Sequence, residues 1–515
     1  MDSYYLTTAI DYVNSRPHIG TAFEKVAADC IARYKRLRGL DTFFSMGNDE
    51  HSLNVEREAR AQGLDPVDYC DRMAREFESI WRLLDLSYDR FVRTTEPAHE
   101  KAVREVFRRI EEKGDIHKGL YRGLYCVSCE NFLQEKDLVD GKCPVHLREP
   151  DRIEEENFFF RLTRYRDALL DHIARNPSFI LPEIRRNEIV NVLESGLVDV
   201  SVSRSSQGWG IPLPADPSHV VYVWFDALIN YLTSAGFPED SATFDRYWPA
   251  DLHVIGKDIT RFHCIIWPAM LLSAGIELPK TVYAHGFISV EGRKLSKSLG
   301  NVVDPRAMVE RYGADTVRYY LLREVSFERD GDFSAGQLVG RHNADLANDL
   351  GNLLNRTAGM TRKYLGESFP APRAGEDDGE LRALAAGVTE RYASAMDRLE
   401  FHNALSAVWD LVRRANRYIE ESAPWKLAKD PSRADRLETV LYNVLESLRV
   451  VSVLVSPVMP AKAEELARAI GIERGAGEFR FDSDLRWRDA PGDGRALRVL
   501  QPLFPRIEEE EGPGP

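Results

Sequence analysis

No stretch of this 515-residue chain approaches the ~18 consecutive apolar residues that a membrane-spanning helix needs. The best runs, residues 450–459 and 265–276, are short and carry Pro or Ser. An order of basic region, apolar core and cleavage site is missing from the N-terminus, which enters a strand pattern at once. A cytoplasmic protein with no membrane partner is expected. Positive charge is in deficit as well. A net charge of −14 argues against a protein coated in basic charge for indiscriminate nucleic-acid binding; no DNA partner is expected, although a local basic face can still meet a nucleic acid. The pattern Gly-x-x-x-x-Gly-Lys-Ser/Thr is absent, which excludes a Walker-type ATPase, and there is no internal repeat. Cysteine is scarce. Of six, Cys30, Cys70 and Cys264 are scattered in the manner of reduced, structural thiols.

What is present reads as an α/β protein of three or so domains, because a chain this long exceeds what one core covers. Residues 1–114 show strand patterns at 4–10 and 42–46 and helical patterns at 53–62, 66–83 and 97–113. Two strands joined by a helix predict a parallel βαβ unit, with ligands at the carboxyl ends of the strands. Residues 115–218 change to Gly, Cys and short apolar runs and are expected to form an inserted module. The α/β pattern resumes over 219–335, with strand-like runs at 220–226, 253–255 and 281–284. Residues 336–490 read as a helical bundle, with apolar residues three and four apart over 343–364, 379–398, 402–421, 433–456 and 460–470. A Pro/Gly/acidic linker at 368–379 interrupts it, and 491–515 form a tail whose acidic end is expected to be disordered.

Cysteine and histidine spacing carries one specific signal. Cys126-Val-Ser-Cys129 is followed, after 13 intervening residues, by Cys143-Pro-Val-His146. Three thiols and an imidazole in two tight turns suit tetrahedral zinc, and with all four positions filled by protein the metal folds a knuckle and leaves no site for catalysis. A redox Cys-x-x-Cys is the other reading, but it would not call for the second pair.

Two further stretches suit phosphate. Tyr12-Val13-Asn14-Ser15-Arg16-Pro17-His18-Ile19-Gly20-Thr21 lies between a strand pattern and an amphipathic helical one. Backbone N–H groups at a helix N-terminus favour an anion, Gly20 allows close approach and His18 adds a donor. A plain turn and cap is the alternative. Gly292-Arg293-Lys294-Leu295-Ser296-Lys297-Ser298-Leu299-Gly300-Asn301 is a Gly-bounded loop whose lysines could follow charge on a transferring phosphate; by itself it could equally be a solvated basic loop.

His18-Ile19-Gly20-Thr21 and Lys294-Leu295-Ser296-Lys297-Ser298, in a split α/β domain followed by helices, resemble the two signature motifs of class I aminoacyl-tRNA synthetases. Within that class the chain resembles the methionyl-tRNA synthetases, through Asn48-Asp49-Glu50-His51, Gly123 to Cys129, Val223-Trp-Phe-Asp-Ala227, Gly256-Lys-Asp-Ile259, Phe262-His263, Trp267-Pro-Ala-Met270, Gly300 to Pro305 and Asp349-Leu-Gly-Asn352. Two positions depart from the family pattern: Thr21 stands for the second His of the first motif, and Asn48 and Ser52 flank Asp-Glu-His where the family has Thr and Gly.

The resemblance implies a Rossmann-type parallel sheet split by a zinc-knuckle insert and followed by an all-α anticodon-binding bundle. It implies activation of L-methionine by ATP, with Mg²⁺ sharing the triphosphate charge, and transfer to tRNA(Met). His18, Thr21, Lys294 and Lys297 would be catalytic; His18, Gly20, Gly256, Asp258, Lys294 and Lys297 would bind ATP. Asp49 would take the α-ammonium of methionine. Ile10, Tyr12, Trp224, Ala227, Leu228, Tyr231, Ile259 and His263 would line the side-chain pocket, though Ile10, Ile259 and Trp224 also suit a plain core. Asn352, Arg356 and Trp425 would read the anticodon, with Arg413, Arg414 and Arg417 available for phosphates. The stretch beyond Ile470 is too short for the dimerising domain of some members, so a monomer is expected. Alternatives are a class I synthetase for another amino acid, or a non-catalytic tRNA-binding relative, which Thr21 alone favours.

Overall fold

The computed structural model describes residues 2–127, 130–133, 135, 138–144, 148–205, 208–214, 216–290, 292–294, 302–366, 370–371, 379–488, 496–498 and 501–508. Cys129, His146, Lys297, most of the 368–379 linker and the end of the tail lie outside the described residues.

Strand β1 (Ser3–Thr8), rich in Tyr, Leu and Thr, suits a pleated sheet buried on both faces. It is followed by β2 (Asp11–Tyr12), helix α1 (Ile19–Leu37) and β3 (Asp41–Asp49). Strand β4 (Arg90–Arg93) pairs with β3 on the edge away from β1 and β2. Gly47 permits that pairing, since a Cβ there would meet the Val92 carbonyl oxygen at 2.0 Å. Much later in the chain come β5 (Ile180–Leu181), β6 (Leu252–Gly256) and β7 (Val282–His285). The sheet runs β4-β3-β1-β6-β7-β5, with β2 continuing alongside β3, and every pairing is parallel. The carboxyl ends of β1, β3, β6 and β7 therefore share one edge, where an open α/β sheet holds its ligands.

Between β4 and β5 a long antiparallel ribbon pairs Ile116–Cys126 with Asp151–Phe160. Its far end carries the short strand Asn131–Leu133 and a small apolar cluster of Leu124, Cys126, Leu133 and Cys143. The ribbon then returns the chain to the sheet, because β5 is a sheet strand lying within the stretch that reads as an insert.

The strand-like run at 220–226 divides. Asp216–Val221 is a strand, but it joins a separate antiparallel sheet, and Val223–Leu228 is a helix. The run is apolar enough for either state, and period alone does not tell a short buried strand from a buried helix. Trp224 is thereby carried on a helix at the sheet's carboxyl edge. A π-helical turn, Phe262–Ile266, follows β6 and presents His263 there. Such wide turns frequently sit at functional sites.

The helices Asn352–Leu365, Gly379–Asp397, Phe401–Ser422, Ala434–Val455 and Pro460–Ala469 form the bundle. The last described residues run back across it, with Leu497, Leu503 and Phe504 buried and Asn343 exchanging two hydrogen bonds with the Ile507 backbone. One buried side chain ties bundle to sheet domain. Arg318, fully buried, pairs with Asp29 of α1 at 2.6 Å and donates to the carbonyls of Leu84, Pro457 and Val458.

Candidate active site

The site assembles from the N-terminus of α1. His18 caps that helix: its Nδ1 accepts the Thr21 backbone N–H at 3.1 Å, with the Thr21 hydroxyl 3.3 Å away. In the neutral ring this places the proton on Nε2. The first turn holds no acidic side chain, so the positive end of the helix dipole is not cancelled within α1. The Ile19 N–H donates to the Val303 carbonyl at 3.0 Å. That bond ties the helix start to the segment just after the Lys/Ser loop. Lys294 lies before the loop on the short strand Arg293–Lys294, opposite Ser289. The start of α1 and the described residues flanking the Lys/Ser loop, far apart in sequence, are thus brought to one edge.

Deeper in α1, the buried Lys25 donates to the Ala9 carbonyl at 2.7 Å and pairs with Glu24 and Asp11. Burial, only partly offset by Lys25, pushes the Asp11 carboxyl up to about 7. His285, at the end of β7, reaches Glu24 at 2.9 Å. These groups fix the turn that carries Ile10 and Tyr12. Gly256 ends β6, and a Cβ there would meet Asp258 Oδ1 at 2.7 Å, so glycine lets this carboxylate sit close beside the strand end.

Asp49 ends β3 opposite Tyr12 and is 3% exposed. Among the described residues its Oδ1 has no hydrogen-bond partner, and neither does the Tyr12 hydroxyl. Burial, reinforced by the charges of Asp226, Glu130 and Glu50, pushes the Asp49 carboxyl well above the usual range. Buried polar groups are nearly always partnered, so two orphans on neighbouring strand ends mark where a polar ligand belongs. A cationic group placed against Asp49 would reverse its shift.

An aromatic slot adjoins this carboxylate. Trp224 stacks on Phe262 with centroids 3.9 Å apart and meets Tyr12 edge-on at 6.1 Å. Ala227, Leu228 and Tyr231 are buried along the chain that follows Trp224. Tyr231 donates its hydroxyl proton to His263 Nε2 at 2.6 Å, while His263 Nδ1–H donates to the Ile259 carbonyl at 3.0 Å. Burial lowers His263 to about 4, so its ring is neutral near pH 7 and the slot carries no cation there. Three side chains carry no site role in the sequence reading: Phe262 and Asp226, which stand in quoted motifs, and His99. Asp226 accepts from His51 Nδ1 and His99 Nε2, each at 2.7 Å. It stood in plain view two residues after Trp224, but its partners are remote in sequence.

The bundle residues separate further. Asn352 opens its helix at the surface, and Arg356, one turn on, pairs with Glu420 at 2.5 Å. Glu420 lies on the helix that leads through Ala423, at φ 46°, into Pro424–Leu427, where Trp425 packs half-buried against the core. Arg413 pairs with Asp349, and Arg414 with Glu380 and Glu421, so neither is the open cation that the basic helix suggests. Of the four Cys/His positions, Cys126 and Cys143 are buried in one small cluster and in no disulfide. The other two lie outside the described residues, and the tetrad is not assembled among the described ones.

A parallel sheet whose carboxyl edge carries a His-capped helix N-terminus, with a helical bundle behind, is the architecture of a class I aminoacyl-tRNA synthetase. The sequence profile described as "tRNA synthetases class I (M)" matches residues 4–155 and 147–358, and that of the "Anticodon binding domain of methionyl tRNA ligase" matches 370–513. The methionine–tRNA ligases of Caldanaerobacter subterraneus subsp. tengcongensis and Thermotoga maritima are each 47% identical to this chain, over 99% of it and 80% and 81% of their own lengths. The methionyl-tRNA synthetase of Mycobacterium tuberculosis in complex with methionyl-adenylate superposes with a TM-score of 0.94 at 45% identity, covering 98% of this chain and 100% of that one. Its apo form gives 0.86 at 42% identity. The chain belongs to the methionyl-tRNA synthetase family.

Proposed function

We propose that this protein activates L-methionine with ATP and transfers the methionyl group to tRNA(Met). The observation that carries the reading is the buried Asp49 carboxylate, with an oxygen unpartnered among the described residues, beside an uncharged aromatic slot and a helix N-terminus. An α-amino acid with a long, polarizable, uncharged side chain offers an ammonium for the first, a thioether for the second and a carboxylate aimed at phosphate for the third. Asp49 takes the ammonium. Ile10, Tyr12, Trp224, Ala227, Leu228, Tyr231, Ile259 and His263 enclose the side chain.

The methionine carboxylate oxygen attacks the α-phosphorus of ATP, the bond to the bridging oxygen breaks and pyrophosphate leaves. The nucleophile is already an anion, so the step needs alignment and charge stabilisation and no general base. His18 and the α1 N-terminus meet the phosphoryl oxygens, Thr21 orients His18 through Nδ1, and Lys294 and Lys297 follow the departing pyrophosphate. Gly20, Gly256 and Asp258 border the nucleotide, Asp258 on the ribose. Mg²⁺ enters with ATP as part of the substrate. In the second step the 2′-hydroxyl of the terminal adenosine attacks the carbonyl carbon, AMP leaves and the hydroxyl proton is lost. Asn352, Arg356 and Trp425 read the anticodon by stacking and edge hydrogen bonds. Cys126, Cys129, Cys143 and His146 would hold a structural zinc that folds the tip of the insert; the shared burial of Cys126 and Cys143 suits that. The same reading has the enzyme acting as a cytoplasmic monomer without membrane or DNA partners.

ATP–pyrophosphate exchange measured with methionine, cysteine, leucine, isoleucine and valine in turn tests it. Exchange should depend on methionine, and metal analysis of the purified protein should find about one zinc per chain. Stronger exchange with another amino acid, or exchange with none added, would overturn the activity. Zinc-free protein whose insert resists protease equally well with and without Cys126 would overturn the knuckle.

A further inference from the structure

Nothing in the activation chemistry calls for Asp226, yet this carboxylate is fully buried beside the pocket. It sits on the helix Val223–Leu228, between Trp224 and Leu228. Its two oxygens accept from two histidines on different elements. His51 Nδ1–H, just past the end of β3, reaches Oδ2 at 2.7 Å; His99 Nε2–H, on the helix Pro97–Glu112, reaches Oδ1 at 2.7 Å. His99 is held from behind by Thr233, with Nδ1 and Oγ1 3.0 Å apart. Burial alone would raise the Asp226 carboxyl, but the two histidines hold it down near 2, so it is an acceptor throughout the physiological range. On its other side His51 meets Trp209 edge-on, with centroids 5.5 Å apart, and lines a small cavity of about 20 Å³ with Glu130 and Tyr222. The ring is thus held between Trp209 and the Asp226 carboxylate, and the Asp226 bond is the one that ties it to the helix carrying Trp224.

We infer that Asp226 is a positioning residue for methionine: through His51 it sets the distance between the Asp49 carboxylate and the pocket wall built on Trp224, Ala227 and Leu228. Asp49 and His51 share the end of one strand, and Trp224 and Asp226 share one short helix. The Asp226–His51 bond ties the part that holds the ammonium to the part that holds the side chain. An amide at 226 would turn an N–H₂ toward one of two ring N–H donors, and the short helix would shift against the strand end. The inference rests on the methionine-activating reading of the site.

Exchange kinetics with methionine and ATP varied separately test it, on Asp226→Asn, His51→Ala and His51→Asn, each checked for folding by thermal melting. Asn at 51 offers an N–H close to the place of Nδ1. Asp226→Asn and His51→Ala should each raise the KM for methionine about tenfold or more and leave the KM for ATP within about twofold, while His51→Asn stays within about threefold of the parent. An unchanged methionine KM, an equal rise in both KM values, or a His51→Asn enzyme as impaired as His51→Ala would overturn the inference. If Asp226→Asn fails to fold, the two His51 variants decide by the same criteria. A parent protein with no methionine-dependent exchange would overturn the activity itself, whereas an active parent with an unaffected Asp226→Asn overturns the positioning role alone.

Discussion

At the scale of the residue, His18 shows that a turn-and-cap and a phosphate contact are not competing readings. The ring caps α1 with Nδ1, and in doing so fixes its remaining proton on Nε2. Thr21 holds this arrangement with its backbone N–H, which any residue but proline supplies, and with a hydroxyl 3.3 Å from the same nitrogen. Thr21→Val keeps the backbone cap and the branched shape and removes the hydroxyl. It should lower the kcat of pyrophosphate exchange about fivefold, the worth of one neutral hydrogen bond, with the methionine KM unchanged. A kcat equal to the parent's would show that the backbone cap suffices. Most of the pocket was legible because its residues fall in short contiguous motifs. Asp226 and its histidines were not, since the role of a buried carboxylate depends on partners that only folding brings near.

At the scale of the element, α1 does two jobs along its length. Its start faces the nucleotide edge, and Asp29 in its middle anchors the helix to the rest of the molecule. Burial raises the Asp29 carboxyl, but Arg318, Arg33 and two bonds from Ser87 outweigh it and hold it down to about 2. A folded-state pKa below the unfolded value of ~3.9 means stability that is complete above about pH 4 and lost as pH falls toward 2. Asp29 should contribute about 2 kcal/mol in this way. Asp29→Asn, which also leaves the buried Arg318 without its counter-charge, should cost about 3–5 kcal/mol at pH 7. Its deficit against the parent should shrink as pH is lowered from 4 to 2, and denaturant unfolding across that range checks both statements. The β-branched run at 220–226 makes the complementary point. Its composition suits a strand, but only Val220 and Val221 belong to one, and the chain from Val223 turns into the helix that carries Trp224.

At the scale of the whole molecule, the bundle and the sheet domain meet through buried contacts while their candidate sites remain apart. Arg318 joins α1 to the carbonyls of Pro457 and Val458. Trp425 sits at a helix break just past the end of the long helix Phe401–Ser422. Trp425→Ala should therefore leave methionine-dependent exchange intact and reduce tRNA charging about tenfold to a hundredfold, the loss expected for a stacked base. Charging at the parent rate would remove Trp425 from the anticodon site. The arginines of that same helix show why charge counted along a sequence misleads: Arg413 and Arg414 are already engaged by Asp349, Glu380 and Glu421.

The sequence by itself determined the kind of fold, because hydrophobic period, turn residues and the spacing of His18, Asp49, Trp224 and the Lys loop are local properties that survive in one dimension. It also determined family membership, which rests on several motifs in order. Only the tertiary structure decided which buried groups lack partners and which are spent on one another. Among the described residues it left Asp49 Oδ1 and the Tyr12 hydroxyl open, closed Asp226 on His51 and His99, and brought Ile19 to Val303 across most of the sheet domain. Partnership is a matter of distances of about 3 Å in three dimensions, and the chain's order carries no direct record of those.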